Sequence, residues 1–173
     1  GIKHATGRYV QYVDSDDFID SAMYPKVLQP FHDYEDIDFV QFLGTVHFSF
    51  EATAEQKKWG ENIFKTTLPP GLHEMGPSAY ITTTVWNKVF KREFIVENDI
   101  RFPGGVKQED EAFSFFVFAR AKRFYMFHDK WYRYVRTQTG TMSSQETAAN
   151  VFKMPDCYKV FAFILDFLKR EPA

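Results

Sequence analysis

The chain has 173 residues, of which 45% are hydrophobic, so it is long enough for a single domain (residues 1–173) with a substantial core. Lys and Arg number 21 against 23 Asp and Glu, and the formal charge of -2 indicates no field that would recruit nucleic acid. The single cysteine, Cys157, excludes an intramolecular disulfide and favours a reducing, cytoplasmic setting.

The first predicted strand ends in a run of acids. Residues 9 to 13 are rich in strand formers, and Asp14-Ser15-Asp16-Asp17 follows them directly. Three carboxylates within four residues repel one another, and a divalent cation with oxygen ligands would relieve that repulsion. In open α/β sheets, ligands bind beyond the carboxyl ends of the strands, where this run falls. The pattern favours a metal site; the structural alternative is a solvated acidic turn with Asp20 capping the next helix.

Two other uses of these acids fit the sequence less well. An EF-hand loop needs further oxygen ligands and a glycine at fixed offsets, but Phe18 and Ile19 stand there. A phosphatase-type aspartyl nucleophile is conceivable, although no Ser or Thr follows Asp17 to bind the phosphate.

The middle of the chain alternates between strand and helix patterns. The predicted elements are a helix from Asp20 or Ser21 towards His32, a strand over 38–50, an exposed helix or irregular excursion over 51–65, a loop around 69–77, a strand from Tyr80 into Trp86 and a short helix over 92–97. This alternation predicts an α/β fold with a mostly parallel sheet flanked by helices.

A second acidic cluster, Glu109-Asp110-Glu111, opens a helix that is apolar almost all round from Ala112 to Ala121. The helix dipole favours ionised carboxylates there, while burial and neighbouring acids favour protonated ones. One of these acids could therefore have the basicity that a general base needs. The alternative is the ordinary enrichment of acids at a helix N-terminus.

The end of the chain is predicted to form two short strands, over 123–127 and 131–136, a polar loop over 137–144 and an amphipathic helix over about 146–169. No apolar stretch approaches the roughly 20 residues that cross a bilayer. The last helix could still contact a membrane surface, although packing on the sheet is the simpler use.

Several motifs together resemble the family 2 glycosyltransferases, an inverting group with the GT-A fold. The resemblance covers most of the chain. In order, its motifs are the segment from Gly1 to Val10, the run Asp14-Ser15-Asp16-Asp17, Val85-Trp86-Asn87-Lys88, Ile100-Arg101-Phe102-Pro103, Glu109-Asp110-Glu111-Ala112-Phe113, Tyr132-Arg133-Tyr134 with Arg136, and Gly140-Thr141-Met142-Ser143.

The resemblance implies metal-dependent transfer of a sugar from a nucleotide diphosphate to an acceptor hydroxyl, with inversion. Asp14 would contact the nucleotide, Asp16 would coordinate Mn²⁺ or Mg²⁺ at the diphosphate, and Asp17 would be secondary. Asp110 would take the proton from the acceptor hydroxyl.

The remaining expected site residues are assigned through the same resemblance. Trp86 would stack on acceptor sugar or be a core ring, and Glu109 would also contact the acceptor. Lys88 would meet the acceptor or, with Arg136 and Thr141, hold the diphosphate. His128 would bind metal, or be a structural histidine between two strands.

The chain departs from the family at its start, because the strands that hold the nucleotide base do not precede Gly1. We therefore expect the C-terminal two-thirds of a catalytic domain. The expected partners are a nucleotide-diphosphate sugar and a glycan or lipid-linked acceptor, as in polysaccharide synthesis, in the cytoplasm or at the inner face of the membrane; the oligomeric state is unspecified. The competing functions are a glycoside hydrolase with paired carboxylates and a non-catalytic glycan-binding fragment.

Overall fold

A six-stranded mixed sheet with helices on both faces makes up the part of the chain that the computed structural model describes, residues 1–76, 82–138 and 154–170. The strands are β1 (Tyr9–Gln11), β2 (Phe18–Ile19), β3 (Phe39–Phe48), β4 (Gly71–Glu74), β5 (Lys88–Lys91) and β6 (Arg123–Arg136). The helices are α1 (Tyr24–Asp33), α2 (Ala54–Asn62), α3 (Arg92–Glu97), α4 (Glu109–Arg120) and α5 (Met154–Lys169), with short 3-10 turns at Ile2–His4 and Ser21–Met23.

The central pair of the sheet is β3 and β6, which run parallel from Phe39 opposite Phe124 to Phe48 opposite Arg136. The two short strands predicted over 123–127 and 131–136 are one strand of 14 residues. The polar residues between them do not end the strand, because the register shifts there and the extra residues of β6 bulge out of the ladder. This long strand also pairs with β4 and β2.

The α/β class is confirmed, but the sheet is not mostly parallel. Only β3 and β6 pair in parallel, and the other four pairings, in the order β1-β5-β3-β6-β2 with β4 on β6, are antiparallel. Alternation of strands and helices predicts parallel pairing only where a helix returns the chain to the same end of the sheet. The connection from β3 to β4 does not, so β4 runs against the β3–β6 pair, and β5 runs in the same direction as β4.

The predicted strand from Tyr80 into Trp86 is wrong over its described part. Residues 82–87 form turns, and the strand begins only at Lys88. The β-branched run favours a strand, but the hydroxyls of Thr82 and Thr84 bond to each other and to Asn87 instead, at 2.8 to 3.3 Å. Such local side-chain bonds compete with a sheet ladder. The start of the predicted strand, including Ile81, lies outside the described residues.

Two hydrophobic clusters cover the two faces of the sheet. One contains Phe39, Phe124 and the inner residues of α3 and α4, and Val160, Ile164 and Phe167 of α5 pack against it. The other contains Val40, Phe42 and the inner face of α1, together with Phe64, Trp86 and Tyr132. Because side chains alternate along β3, one strand supplies both clusters. No described helix is both long and apolar enough to cross a bilayer.

Candidate active site

The run Asp14-Ser15-Asp16-Asp17, here named the acidic turn, lies between β1 and β2 and is held by β6. The Tyr132 hydroxyl donates to Asp17 Oδ2 at 2.6 Å, and the Val135 backbone N–H donates to Asp17 Oδ1 at 2.7 Å. The backbone N–H of Asp14 donates to the same Tyr132 hydroxyl at 3.2 Å. Asp17 therefore anchors the turn through both of its carboxylate oxygens, and its secondary role at a donor site stays a prediction.

The other two acids of the turn remain open to a ligand. Within the described parts of the chain, neither the Asp14 nor the Asp16 carboxylate accepts a hydrogen bond or joins an ion pair. Burial and the charges of Asp17, Asp16 and Glu109 raise the pKa of Asp14. This mutual repulsion is the condition that a cation with hard oxygen ligands would relieve.

Asp110 lies in the first turn of α4, within electrostatic range of the acidic turn. Burial raises its pKa to about 7, and the charges of Glu109 and Asp14 act in the same direction. The Lys88 ammonium and a hydrogen bond from the Val85 backbone oppose that rise. The charge of Asp14 raises the pKa of Asp110, and the charge of Glu109 raises the pKa of Asp14. Because such effects need short separations, the two acidic clusters lie close together in the fold. A carboxylate with this pKa can accept a proton near neutral pH.

The loop over residues 82–87 is tied to α4 and to β5. The Lys88 ammonium is buried and donates to the carbonyls of Thr82, at 2.8 Å, and Thr84, and to Asn87 Oδ1 at 3.2 Å. On the other side, the Ser114 hydroxyl donates to the Thr83 carbonyl at 2.6 Å. Burial lowers the pKa of Lys88 to about 7, while the charge of Asp110 acts against this shift. Lys88 thus lies beneath the loop that binds Asp110, and its expected contact with acceptor or diphosphate stays a prediction.

Trp86 occupies the second hydrophobic cluster and is only 6% exposed. Its ring stacks on Tyr132, with centroids 4.1 Å apart, and meets Phe64 edge-on at 5.3 Å. Trp86 was expected either to stack on acceptor sugar or to be a core ring, and its packing is that of a core ring. Stacking on an acceptor sugar stays a prediction.

The other expected site residues are more scattered. His128 Nε2 lies 2.7 Å from the Leu68 carbonyl, beside a pocket under α2, and the Arg136 guanidinium lies 5.1 Å from the Trp59 ring centroid. Thr141 falls outside the described residues. No group of three or more His, Cys, Asp or Glu side chains in the described part could hold a metal. The metal role of His128 and the diphosphate role of Arg136 stay predictions.

Sequence reasoning missed three contributors to the site. Tyr132 and Val135 fix Asp17, and the Val85 backbone binds Asp110. Tyr132 and Val85 were visible only as parts of the family motifs. A backbone donor leaves no signal in residue type, and Tyr132 is 115 residues from its partner.

Comparison with known proteins identifies the relatives of the chain. No protein-family model matches it. It is 33% identical to an uncharacterized glycosyltransferase, YibD of Escherichia coli, over 115 residues, which are 64% of the chain and 33% of YibD. It is 27% identical to the cholesterol galactosyltransferase of Borreliella burgdorferi, over 89% of the chain and 44% of that protein. The chain is similar in sequence to proteins named as glycosyltransferases.

A third relative links the sequence to solved structures. The poly(ribitol-phosphate) beta-N-acetylglucosaminyltransferase TarS of Staphylococcus aureus is 27% identical over 94% of the chain and 26% of its own length. The structure of TarS 1-349 in complex with UDP-GlcNAc matches 99% of the chain and 46% of that structure, with a TM-score of 0.71 and 22% identity. The chain thus spans between 26% and 44% of the length of these three relatives. The expected resemblance and GT-A-like fold are confirmed.

Proposed function

We propose that this chain is part of a glycosyltransferase that moves a sugar from a nucleoside diphosphate to an acceptor hydroxyl with inversion. The observation that carries the proposal is Asp110, a half-buried carboxyl with a pKa near 7 that faces the Asp14 side of the acidic turn. A base poised near neutral pH beside a site for a charged donor is what this reaction needs. The glycosyltransferase relatives and the UDP-GlcNAc in the TarS structure support the assignment.

In the proposed reaction Asp110 accepts the proton of the acceptor hydroxyl. The acceptor oxygen forms a bond to the anomeric carbon while the bond from that carbon to the diphosphate oxygen breaks. The electron pair of the broken bond leaves with the nucleoside diphosphate. Attack from the face opposite the leaving group inverts the anomeric carbon.

Asp14 and Asp16 face the donor in this proposal, and their carboxylates fit a Mn²⁺ or Mg²⁺ ion because they are hard oxygen ligands without hydrogen-bond partners in the described chain. When bound, the ion would offset the negative charge that develops on the diphosphate. Asp17 would keep both carboxylates in position, since its own oxygens are engaged by Tyr132 and Val135.

The donor to test first is a UDP-sugar, because UDP and UDP-GlcNAc are bound in TarS structures. The acceptor is proposed to be a glycan or a lipid-linked sugar. The names of the cholesterol galactosyltransferase and of TarS support an acceptor of the cell envelope. A cytoplasmic enzyme that works at the inner face of the membrane would meet such acceptors.

Asp110→Asn should lower kcat/KM for sugar transfer about 10²- to 10⁴-fold, because the amide cannot accept a proton. In the unchanged protein kcat/KM should rise as pH rises through about 7, since Asp110 must be ionised to act. The measurement is product formation across pH with protein expressed from the complete open reading frame. The matched control is Glu111→Gln, an exposed acid of the same helical turn. Activity within a factor of about three of the control would remove Asp110 as the base.

Asp16→Ala should weaken Mn²⁺ binding, measured directly by calorimetry, with Ser15→Ala as the neighbouring control. Activity that needs no nucleotide and survives a chelator would instead indicate a glycoside hydrolase. Glycan binding without nucleotide-sugar or metal binding would indicate a binding fragment.

A further inference from the structure

The pocket under α2 has a volume of about 510 Å³ and opens between α2, β3 and β6, and no residue of the acidic turn lines it. We name it the α2 pocket. Its floor is apolar and comes from Leu43, Val46, Phe48 and Phe64. An apolar and partly aromatic floor suits the carbon face of a sugar or polyol.

The rim of the α2 pocket carries an excess of positive charge. Lys57, Lys65 and Lys130 line it, against the single acid Glu61. None of these three lysines forms an ion pair with any described residue. The whole chain has a formal charge of -2, so this local excess is opposite in sign to the molecule. Unpaired ammonium groups around a concavity attract an anion.

Hydroxyl and imidazole groups add hydrogen-bonding capacity at the same rim. The Leu68 backbone N–H donates to Thr66 Oγ1 at 3.2 Å, which leaves the Thr66 O–H as a donor. His128 Nε2 must donate to the Leu68 carbonyl, because a carbonyl oxygen only accepts. These two bonds hold residues 66 to 68 at the edge of the pocket.

The α2 pocket is connected to the proposed catalytic centre through packed aromatic rings. Phe64 of its floor meets Trp86, Trp86 stacks on Tyr132, and the Tyr132 hydroxyl donates to Asp17. Only two rings separate the pocket floor from the anchor of the acidic turn, so we expect a chain-like acceptor to reach both places. A free phosphate ion would make no use of the apolar floor.

We propose that the α2 pocket binds a phosphate group of the acceptor, so that the acceptor is a phosphate-bearing polyol or glycan; the acceptor assignment rests on the proposed function. The lysines bind the phosphate oxygens, and Phe48 and Phe64 contact the adjoining carbon chain. The pocket is then a specificity site outside the reacting atoms.

The test is binding of a short oligomer of glycerol phosphate diesters to the full chain, measured by calorimetry at low and physiological salt, with glycerol as the neutral probe. The variant Lys57→Glu/Lys65→Glu should weaken binding at least about tenfold, because it reverses two charges at the rim. The control is Lys58→Glu, which makes the same change one residue away on α2 outside the pocket lining. Glu61→Gln should strengthen binding.

Several results would overturn the proposal. One is a Lys58→Glu variant that weakens diester binding as much as the double lysine variant, which would indicate diffuse surface charge. Another is glycerol that binds as tightly as the diester, and a third is a diester that does not bind at all. Inorganic phosphate that binds as tightly as the diester would assign the pocket to the free ion and overturn the acceptor assignment. Circular dichroism of each variant confirms that the chain is folded.

Failure of the pocket proposal can be distinguished from failure of the proposed transferase function. Asp16→Ala and Asp110→Asn should leave diester binding unchanged, because neither residue lines the α2 pocket. Diester binding without any sugar transfer would refute the transferase while leaving the anion site. If the double lysine variant transfers sugar as well as the unchanged protein, the pocket proposal is refuted and the transferase proposal stands.

Discussion

At the residue scale, Tyr132 connects the acidic turn to the sheet through one hydroxyl group. That hydroxyl accepts from the Asp14 backbone and donates to the Asp17 carboxylate. Burial and the neighbouring Asp17 and Asp14 charges raise the pKa of Tyr132 further above its usual value, so the hydroxyl remains a donor at any physiological pH. The arrangement of the turn therefore depends on a neutral group, which adds no further charge beside three carboxylates.

Tyr132→Phe should lower the free energy of unfolding by about 1 to 3 kcal/mol, because it leaves the partly buried Asp17 carboxylate without its hydroxyl donor. Urea unfolding measures the effect. The control is Tyr134→Phe, since Tyr134 packs on the same Trp86 ring but its hydroxyl has no partner among the described residues. Equal losses in both variants would mean that the bonds of the Tyr132 hydroxyl do not stabilise the turn.

The candidate site residues that could be predicted are those whose side-chain type and position along the chain already indicate their chemistry. Asp14, Asp16 and Asp110 stand out as acids at the end of a strand and at the start of a helix. Lys88 could not be placed, because a lysine is ordinarily exposed, and only the folded loop shows that four acceptor atoms surround its buried ammonium. Tyr132 could not be linked to Asp17 because contacts over 115 residues have no local signature.

At the element scale, β3 and β6 pack closely at Gly44. A Cβ atom built there would lie 3.0 Å from the Tyr132 carbonyl oxygen and 3.4 Å from the Phe64 ring. The carbonyl belongs to the backbone of β6 and cannot turn aside. Gly44 therefore allows the central pair of strands and the Phe64 ring to pack together, beside the register shift.

Gly44→Ala should destabilise the fold by about 1 to 3 kcal/mol, through overpacking against backbone. The matched control is Gly104→Ala, where nothing lies within 4 Å of the added Cβ atom and no unusual backbone angle is needed. The control should be neutral or slightly stabilising, because alanine lowers the entropy of the unfolded chain. Thermal unfolding distinguishes the two, and a Gly44→Ala midpoint equal to that of the control would contradict the close approach.

Element prediction succeeded where periodicity was strong and failed where side chains bond locally. The short helix over 92–97 was predicted at its observed bounds, and α4 and β3 were found within a few residues. The two residues of β2 and the four of β4 are too short to show a period, and β4 lies where a loop was predicted. The single strand β6 was divided because its bulge looks like a turn in sequence.

At the scale of the whole molecule, two buried ionisable groups of opposite sign lie under the same loop. The pKa of Asp110 is raised to about 7 and that of Lys88 is lowered to about 7, chiefly by burial. The unfolded chain would titrate these groups near 3.8 and 10.5, so each links stability to pH over a different window.

Stability should fall as pH rises from about 4 to 7, because the folded state retains the Asp110 proton that the unfolded state has lost. It should recover as pH rises from about 7 to 10, because the unfolded state then holds the Lys88 proton that the folded state has lost. Asp110→Asn should flatten the first window and Lys88→Met the second, in urea unfolding across pH. Asp14, Asp17 and Asp38 also have raised pKa values, so the first window should become shallower without vanishing. Unchanged slopes in both variants would contradict the burial of the pair.

The α/β class of the whole molecule followed from alternating patterns, and the order of the motifs indicated the architecture. The direction of the strands did not follow, because pairing depends on how each connection returns to the sheet. The convergence of the two acidic clusters was only implied by the resemblance, since about 95 residues of chain separate them.

The dependence of the acidic turn on β6 has a consequence for synthesis on the ribosome. Asp17 leaves the ribosome 118 residues ahead of Val135, an interval of roughly 6 to 24 seconds at ordinary translation rates. During that interval the three aspartates are translated but lack the strand that orients them. A nascent chain that stops short of Tyr132 thus contains every acid of the turn but lacks the contacts that orient them, so the turn takes its final shape late, when the central pair of strands forms.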